Sequence, residues 1–159
     1  MADAFDLHFQ SYQKGKMNRL IPLIIVVTLL ASCSHDKKIS AAEKEILETE
    51  KSFEKMAAEK GMAEAFYFFA DLNAAVRRGD TVITGRENIH SYYLKTSNPR
   101  ASLKWTPDFV AVSDCGTMGY TYGKYVYSVC DSAGNISKSG GIFHTVWKKT
   151  PEGWKYVWD

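Results

Sequence analysis

ASLKWTPDFVAVSDCGTMGYTYGKYVYSVCDSAGNISKSGGIFHTVWKKTPEGWKYVWD, residues 101–159, decides the fold. Its segments SLKWTPDFVAVS (102–113), MGYTYGKYVYSVC (118–130), GGIFHTVWKK (140–149) and GWKYVWD (153–159) are rich in β-branched and aromatic residues. Turn signals separate them: Asp114-Cys115-Gly116, Asp131-Ser132-Ala133-Gly134-Asn135 and Pro151-Glu152-Gly153. Four consecutive strands with short turns predict an antiparallel meander. Large apolar residues stand at both parities, Tyr122 beside Tyr125 and Phe143 beside Ile142. A sheet wet on one side alternates more cleanly, so both faces of this sheet are expected to be covered, one by helices and the other by a second copy of the chain.

Upstream, the period changes from two to 3.6. Ser40 and Glu43 form an S-x-x-E capping pattern opening a helix to about Lys60, with Ile46, Leu47, Phe53, Met56 and Ala57 on one stripe and Gly61 at its C-cap. A second helix, Met62–Ala70, is apolar on most sides and is expected to be buried or to roof a cavity. LNAAVRR and TVITG read as short strands around Arg78-Gly79-Asp80, and Thr84 with Glu87 as a capping box for a helix near Arg86–Leu94 bearing Ile89, Tyr92 and Tyr93. Helices first and an aromatic meander afterwards predict an α+β domain, with the N-terminal helices packed on one face of a strongly curved, mostly antiparallel sheet.

Residues 20–31, LIPLIIVVTLLA, follow Lys14, Lys16 and Arg19. The run is shorter than the roughly 20 residues that span a bilayer and suits the apolar region of a signal peptide. It ends in Leu30-Ala31-Ser32-Cys33, which resembles the bacterial lipobox. The expected organisation is a signal peptide over 1–32, lipidated Cys33 with a tether to residue 40, and one domain over 41–159. Met17 opens a conventional signal peptide, so residues 1–16 read as lying upstream of the true start. Ser34 after the lipidated cysteine predicts an outer-membrane lipoprotein facing the periplasm in a Gram-negative source.

At 159 residues the chain has room for one domain and a short appendage. Its net charge is +2 and no Lys/Arg run exceeds two residues, which argues against a nucleic-acid or polybasic membrane surface. The three cysteines form neither C-x-x-C nor a zinc pattern. Cys115 and Cys130 flank one strand, whose rise of about 3.3 Å per residue keeps them from pairing with each other.

EKSFEKMAAEKGMAEAFYFF (50–69), TGRENI (84–89), LKWTPDFVAVSDCGTMGYTYGKY (103–125), GGIFHTVWKK and GWKYVWD together resemble the DUF4440 (SnoaL-like) branch of the NTF2-like superfamily, over about residues 41–159. Trp105-Thr106-Pro107, Gly119-Tyr120-Thr121-Tyr122-Gly123 and Val146-Trp147-Lys148 fall in that family's order. The resemblance implies a cone, a bent sheet wrapped over helices with a cavity at the open end, and frequent homodimers through the sheet. Steroid isomerases and polyketide cyclases on this fold place an Asp or Glu in the cavity as proton acceptor.

No G-x-S-x-G, G-x-x-x-x-G-K-[ST] or H-E-x-x-H occurs, and no cofactor or metal is expected. Gly140-Gly141 reads as a bulge or close approach at the start of a strand. His144 and Asp71 are the candidate proton-transfer residues. Period-2 alternation places Ile142, His144 and Val146 on one face and Phe143, Thr145 and Trp147 on the other, leaving both assignments of the cavity face open. Asp108 follows Pro107 on an exposed segment and Asp159 is the last residue, so neither reads as a base. The candidate ligand pocket comprises Phe66, Phe69, Tyr93, Trp105, Tyr122, His144 and Trp147. Two functions follow: an envelope module that binds a small apolar molecule and dimerises, or an isomerase, cyclase or hydrolase working by proton transfer. Ionisable groups converging in the cavity would favour the enzyme.

Overall fold

The computed structural model describes residues 39–159; the expected signal peptide, Cys33 and most of the expected tether lie outside the described residues. Helix α1 (39–60) is already formed at residue 39, so Ser40 sits within the helix and not at its N-cap. Its buried stripe is Ala42, Ile46, Glu50, Phe53 and Ala57, while Leu47 is exposed. The stripe keeps helical spacing but carries a carboxylate at its centre.

Gly61 turns the chain with φ +89°, a conformation that L side chains resist, and its N–H donates to Ala57 O at 3.2 Å. Helix α2 (Met62–Phe69) follows directly. Strand β1 (Ala70–Arg78) pairs antiparallel with β2 (Thr81–Thr84), and helix α3 (Arg86–Thr96) returns over them. The expected Thr84–Glu87 capping box does not form. Thr84 is committed to the sheet opposite Ala75, and Gly85, at φ +86°, takes the N-cap without a side-chain cap.

The meander runs β3 (Ala101–Val112), β4 (Met118–Cys130), β5 (Ile136–Thr150) and β6 (Gly153–Trp158). The six strands form one mixed sheet in the order β2-β1-β6-β5-β4-β3, antiparallel except where β1 meets β6. A register shift between Pro107 and Phe109 changes the parity of β3. Before it Leu103 and Trp105 pack on the core, after it Val110 and Val112 do, and Phe109 turns outward. Gly123 accommodates this bend: a Cβ there would stand 2.1 Å from Thr106 O. Strand β5 is longer than expected, so Gly140-Gly141 lies mid-strand in unbroken register, as a close approach and not a bulge. A Cβ on Gly141 would stand 3.0 Å from the Tyr125 ring. Cys115 precedes the 13-residue β4 and Cys130 ends it; about 40 Å of strand rise separates them, far beyond disulfide reach.

Phe53 is the centre of the core. Its ring lies 4.8 Å from Phe66, 4.9 Å from Phe69, 4.9 Å from Trp105 and 5.9 Å from Tyr156. Polar bonds fix the helices around it. Glu45 of α1 accepts from Lys149 Nζ at 2.6 Å and Trp154 Nε1 at 2.9 Å, and these hydrogen bonds hold its carboxyl below the usual range. The last turn of α2 is tied down through its carbonyls: Lys155 Nζ donates to Phe68 O at 2.6 Å and Tyr156 Oη to Phe66 O at 2.8 Å.

Candidate functional site

Between the helices and the inner face of the sheet lies a cavity of about 630 Å³. Its wall is rich in aromatic rings, among them Phe53 from α1, Phe66 from α2, Tyr93 from α3, Trp105 from β3, Phe143 from β5 and Trp158 from β6. At one end the wall becomes polar. Arg78, the last residue of β1, meets Asp159, which follows β6, because the two strands run parallel side by side. Backbone bonds clamp this junction, Asp159 N–H to Ala75 O at 3.0 Å and Arg77 N–H to Asp159 O at 2.8 Å.

The Arg78 guanidinium donates from Nη2 to Asp159 Oδ1 at 2.7 Å, from Nε to Tyr93 Oη at 2.6 Å and from Nη1 to Arg77 O at 2.7 Å. It also lies over the Phe66 ring at 5.2 Å and the Tyr93 ring at 5.4 Å. Thr145 Oγ1 donates to Asp159 Oδ2 at 3.0 Å. Both carboxylate oxygens thus hold a donor already. Burial opposes the Arg78 charge, but the Asp159 carboxylate and Tyr93 outweigh it and hold the guanidinium above its usual range. Burial raises the Tyr93 phenol well above the ordinary tyrosine value, against the pull of Arg78. The Arg78 guanidinium is therefore a fixed cation, and the Tyr93 phenol keeps its proton at neutral pH. A guanidinium has five N–H donors; the three bonds named leave two, and the Tyr93 O–H proton, to serve a ligand. Ser97 Oγ, buried at the cavity wall, has no hydrogen-bond partner among the described residues.

Behind the aromatic wall sits Glu50, almost fully buried on α1. Oε1 accepts from Thr121 Oγ1 and from Trp147 Nε1 at 3.0 Å; Oε2 accepts from Trp105 Nε1 at 2.8 Å. Trp147 Nε1 also lies 3.2 Å from Thr121 Oγ1. Desolvation raises the Glu50 carboxyl above its usual value, against these three donors, and the nearby Asp159 charge adds to the rise. Among the described residues no cation bonds to it.

No family model and no curated protein matches the chain. Solved structures do. An NTF2-like protein with a cystatin-like fold from Novosphingobium aromaticivorans superposes with a TM-score of 0.63 at 20% identity, covering 82% of this chain and 85% of that one. An NTF2-like superfamily protein from Salmonella enterica Typhimurium gives 0.62 at 17% identity over 75% and 88%. A ketosteroid isomerase-like protein from Erwinia carotovora gives 0.56 at 12% identity over 70% and 88%. The fold is the NTF2-like cone.

Within the cone, the pocket residues singled out from sequence separate into three groups. Phe66, Tyr93 and Trp105 line the cavity. Phe69 and Trp147 are buried against Phe53 in the core, with ring distances of 4.9 Å and 6.3 Å. Tyr122 lies on the outer face of the sheet, stacked on Phe109 at 5.1 Å. His144 pairs with Tyr122 across β4 and β5, and its ring meets Tyr120 at 5.6 Å on that outer face. Residue 144 borders the cavity, but Thr145, next along the strand, reaches inward to Asp159, so the imidazole faces away from Arg78. Asp71 opens β1, accepts from Asn73 N–H at 3.1 Å and pairs with Lys148 at 3.3 Å; the backbone bond chiefly lowers its pKa. The charged pair at the cavity's polar end, Arg78 and Asp159, and the buried Glu50 were not among the sequence candidates. Arg78 read as part of a turn and Asp159 as a terminal residue, and Glu50 was not singled out on its helix. Glu50 did carry one signal, since it sits four residues after Ile46 and three before Phe53 on the buried stripe.

Proposed function

We propose that the domain holds a small, largely apolar ligand with a hydrogen-bond acceptor at one end, its body among the aromatic rings and its acceptor at Arg78 and Tyr93. The observation that carries this reading is a guanidinium with two N–H donors to spare at one end of an aromatic-rich cavity. A volume of about 630 Å³ falls within the roughly 300–1,000 Å³ of small-molecule sites. The domain performs this task as an envelope lipoprotein anchored through Cys33 and paired with a second copy. Phe109, Tyr120, Tyr122 and Ile142, all exposed on the outer face of the sheet, support the pairing.

The experiment compares 2-acetylnaphthalene, a planar ketone, with 2-ethylnaphthalene, which has the same body and no acceptor. One good hydrogen bond to a charged donor predicts about tenfold tighter binding of the ketone, an advantage that Arg78→Met should erase. Equal binding of the two, or an advantage that survives Arg78→Met, refutes the reading.

A second reading rests on Tyr93, Arg78 and Asp159 converging within hydrogen-bond reach, an arrangement able to polarise a carbonyl. The likeness to a ketosteroid isomerase-like protein points the same way. Against it, each Asp159 oxygen already holds a donor, and these bonds weaken it as a proton acceptor. Deuterium exchange into the methyl group of the bound ketone distinguishes the two: binding without exchange favours the ligand reading, and exchange above the solvent rate favours the enzyme.

A further inference from the structure

Trp105 belongs to two structures at once. Its ring forms part of the cavity wall and lies 4.9 Å from Phe53, and its indole N–H donates to Glu50. Glu50 itself is not part of the wall. It reaches from α1 across the core and is the common acceptor for donors on three strands: Trp105 on β3, Thr121 on β4 and Trp147 on β5. The three groups face it as donors, and an indole N–H cannot accept a bond in return. Only the carboxylate satisfies all three. An apolar side chain would leave the Trp105 indole N–H and the Thr121 hydroxyl without their acceptor, and Trp147 with the Thr121 oxygen alone.

Hydrophobic packing alone does not require such a group on the buried face of a helix. A buried carboxylate without a bonded cation is unfavourable, and its retention in the stripe Ala42, Ile46, Glu50, Phe53, Ala57 calls for a task. The task visible in the geometry is orientation. Trp105 is half-buried, with its other face on the cavity, so packing holds it less firmly than the fully enclosed Trp147.

We propose that Glu50 is the positioning residue of the cavity, fixing the Trp105 indole so that the wall is preformed for its ligand. This rests on the reading of the cavity as a ligand site. Glu50 does not touch the ligand; it acts through Trp105. Preorganisation of this kind contributes affinity because the wall need not be ordered on binding.

The test uses the full-length chain, ¹⁵N-labelled at tryptophan, with 2-acetylnaphthalene as the probe. In Glu50→Gln one acceptor oxygen remains. Placed at the Oε1 position it still serves Thr121 and Trp147, which leaves the amide NH₂ facing the Trp105 N–H. The Trp105 indole cross-peak should move and its hydrogen exchange accelerate, while Trp154, bonded to Glu45, should stay in place. The ketone should bind about tenfold more weakly, the equivalent of losing one charge-assisted hydrogen bond. On a Trp105→Phe background, Glu50→Gln should change the affinity no further, because the interacting partner is already gone. An unmoved Trp105 peak, or ketone affinity preserved in Glu50→Gln, overturns the proposal while leaving the ligand reading intact. A wild type that does not bind the ketone at all overturns the ligand reading and this proposal with it. If Glu50→Gln does not fold, Thr121→Val decides the matter. It removes a donor to Glu50 away from the cavity and should shift the Trp105 peak and weaken the ketone in the same direction; no change in either sinks the proposal.

Discussion

Breaking the Arg78–Asp159 pair should show whether the polar end of the cavity is a built element or a surface ion pair that happens to lie there. The two side chains meet at 2.7 Å with relative exposures of 28% and 15%. Exposed pairs contribute about 0–1 kcal/mol, whereas removing one member of a fully buried pair costs about 3–5 kcal/mol. Partial exposure places this pair between those limits. Asp159→Asn keeps the shape and the bond from Thr145 but leaves the guanidinium without its counter-charge, a loss of about 2 kcal/mol. Arg78→Met also removes the bonds to Tyr93 and Arg77 O and should cost slightly more. In urea, with a slope of about 1.5 kcal/mol/M, Asp159→Asn should lower the midpoint by somewhat over 1 M. The double variant is the decisive measurement. Once either charge is absent the other has less to lose, so the two single effects should exceed the double by about 1–2 kcal/mol. Additivity within about 0.5 kcal/mol would refute the reasoning and reduce the pair to an incidental contact.

Phe53→Ala should destabilise the domain by about 3–5 kcal/mol in urea unfolding, because the ring joins α1 to α2, β3 and β6 and no neighbour can fill its place. Glu50 makes a pH prediction whose sign is unusual for a carboxylate. Its folded pKa is raised by desolvation, so the native state binds its proton more tightly than the unfolded chain, and this group's contribution falls as pH rises from the ordinary carboxylate value through the raised one. The urea midpoint of wild type minus that of Glu50→Gln should therefore decline across that window, and a difference that climbs with pH would contradict the burial. Tyr122→Lys places a charge among Phe109, Tyr120 and His144 on the outer face and should convert a dimer to a monomer by light scattering. Cys33→Ser should move the protein from the detergent phase to the aqueous phase, since each acyl CH₂ buried contributes about 0.8 kcal/mol to membrane binding; unchanged partitioning would remove the lipid anchor.

What was legible in the sequence was local. The meander from residue 101, its turns, and the three helices follow from period and punctuation over windows of about ten residues. Errors began where tertiary structure overruled a local rule. Thr84 has the chemistry of an N-cap, but its place in β2 opposite Ala75 claimed its backbone. Alternation along β5 correctly separated His144 from Thr145 and Trp147, yet alternation carries no label for inside and outside. The label came from Thr145 meeting Asp159 and Trp147 meeting Glu50, both contacts between distant parts of the chain. The shift between Pro107 and Phe109 reverses parity within a single strand, so Phe109 and Trp105, four residues apart, face opposite ways.

The cavity's polar end was hidden for the same physical reason. Arg78 and Asp159 are 81 residues apart, and they meet only because β6 runs parallel to β1 in a sheet that is otherwise antiparallel. A parallel neighbour leaves no hairpin turn in the sequence to announce it. Glu50 escaped for a different reason: hydrophobic periodicity counts apolar residues and treats a carboxylate as evidence for the solvent face. That rule holds when a charge has no partners. It fails where three donors converge, because the sum of their hydrogen bonds can hold a carboxylate where burial alone would expel it. The donors here are two tryptophans and a threonine spread over β3, β4 and β5. Each of them read separately as ordinary strand packing, and only the folded sheet brings them to one acceptor.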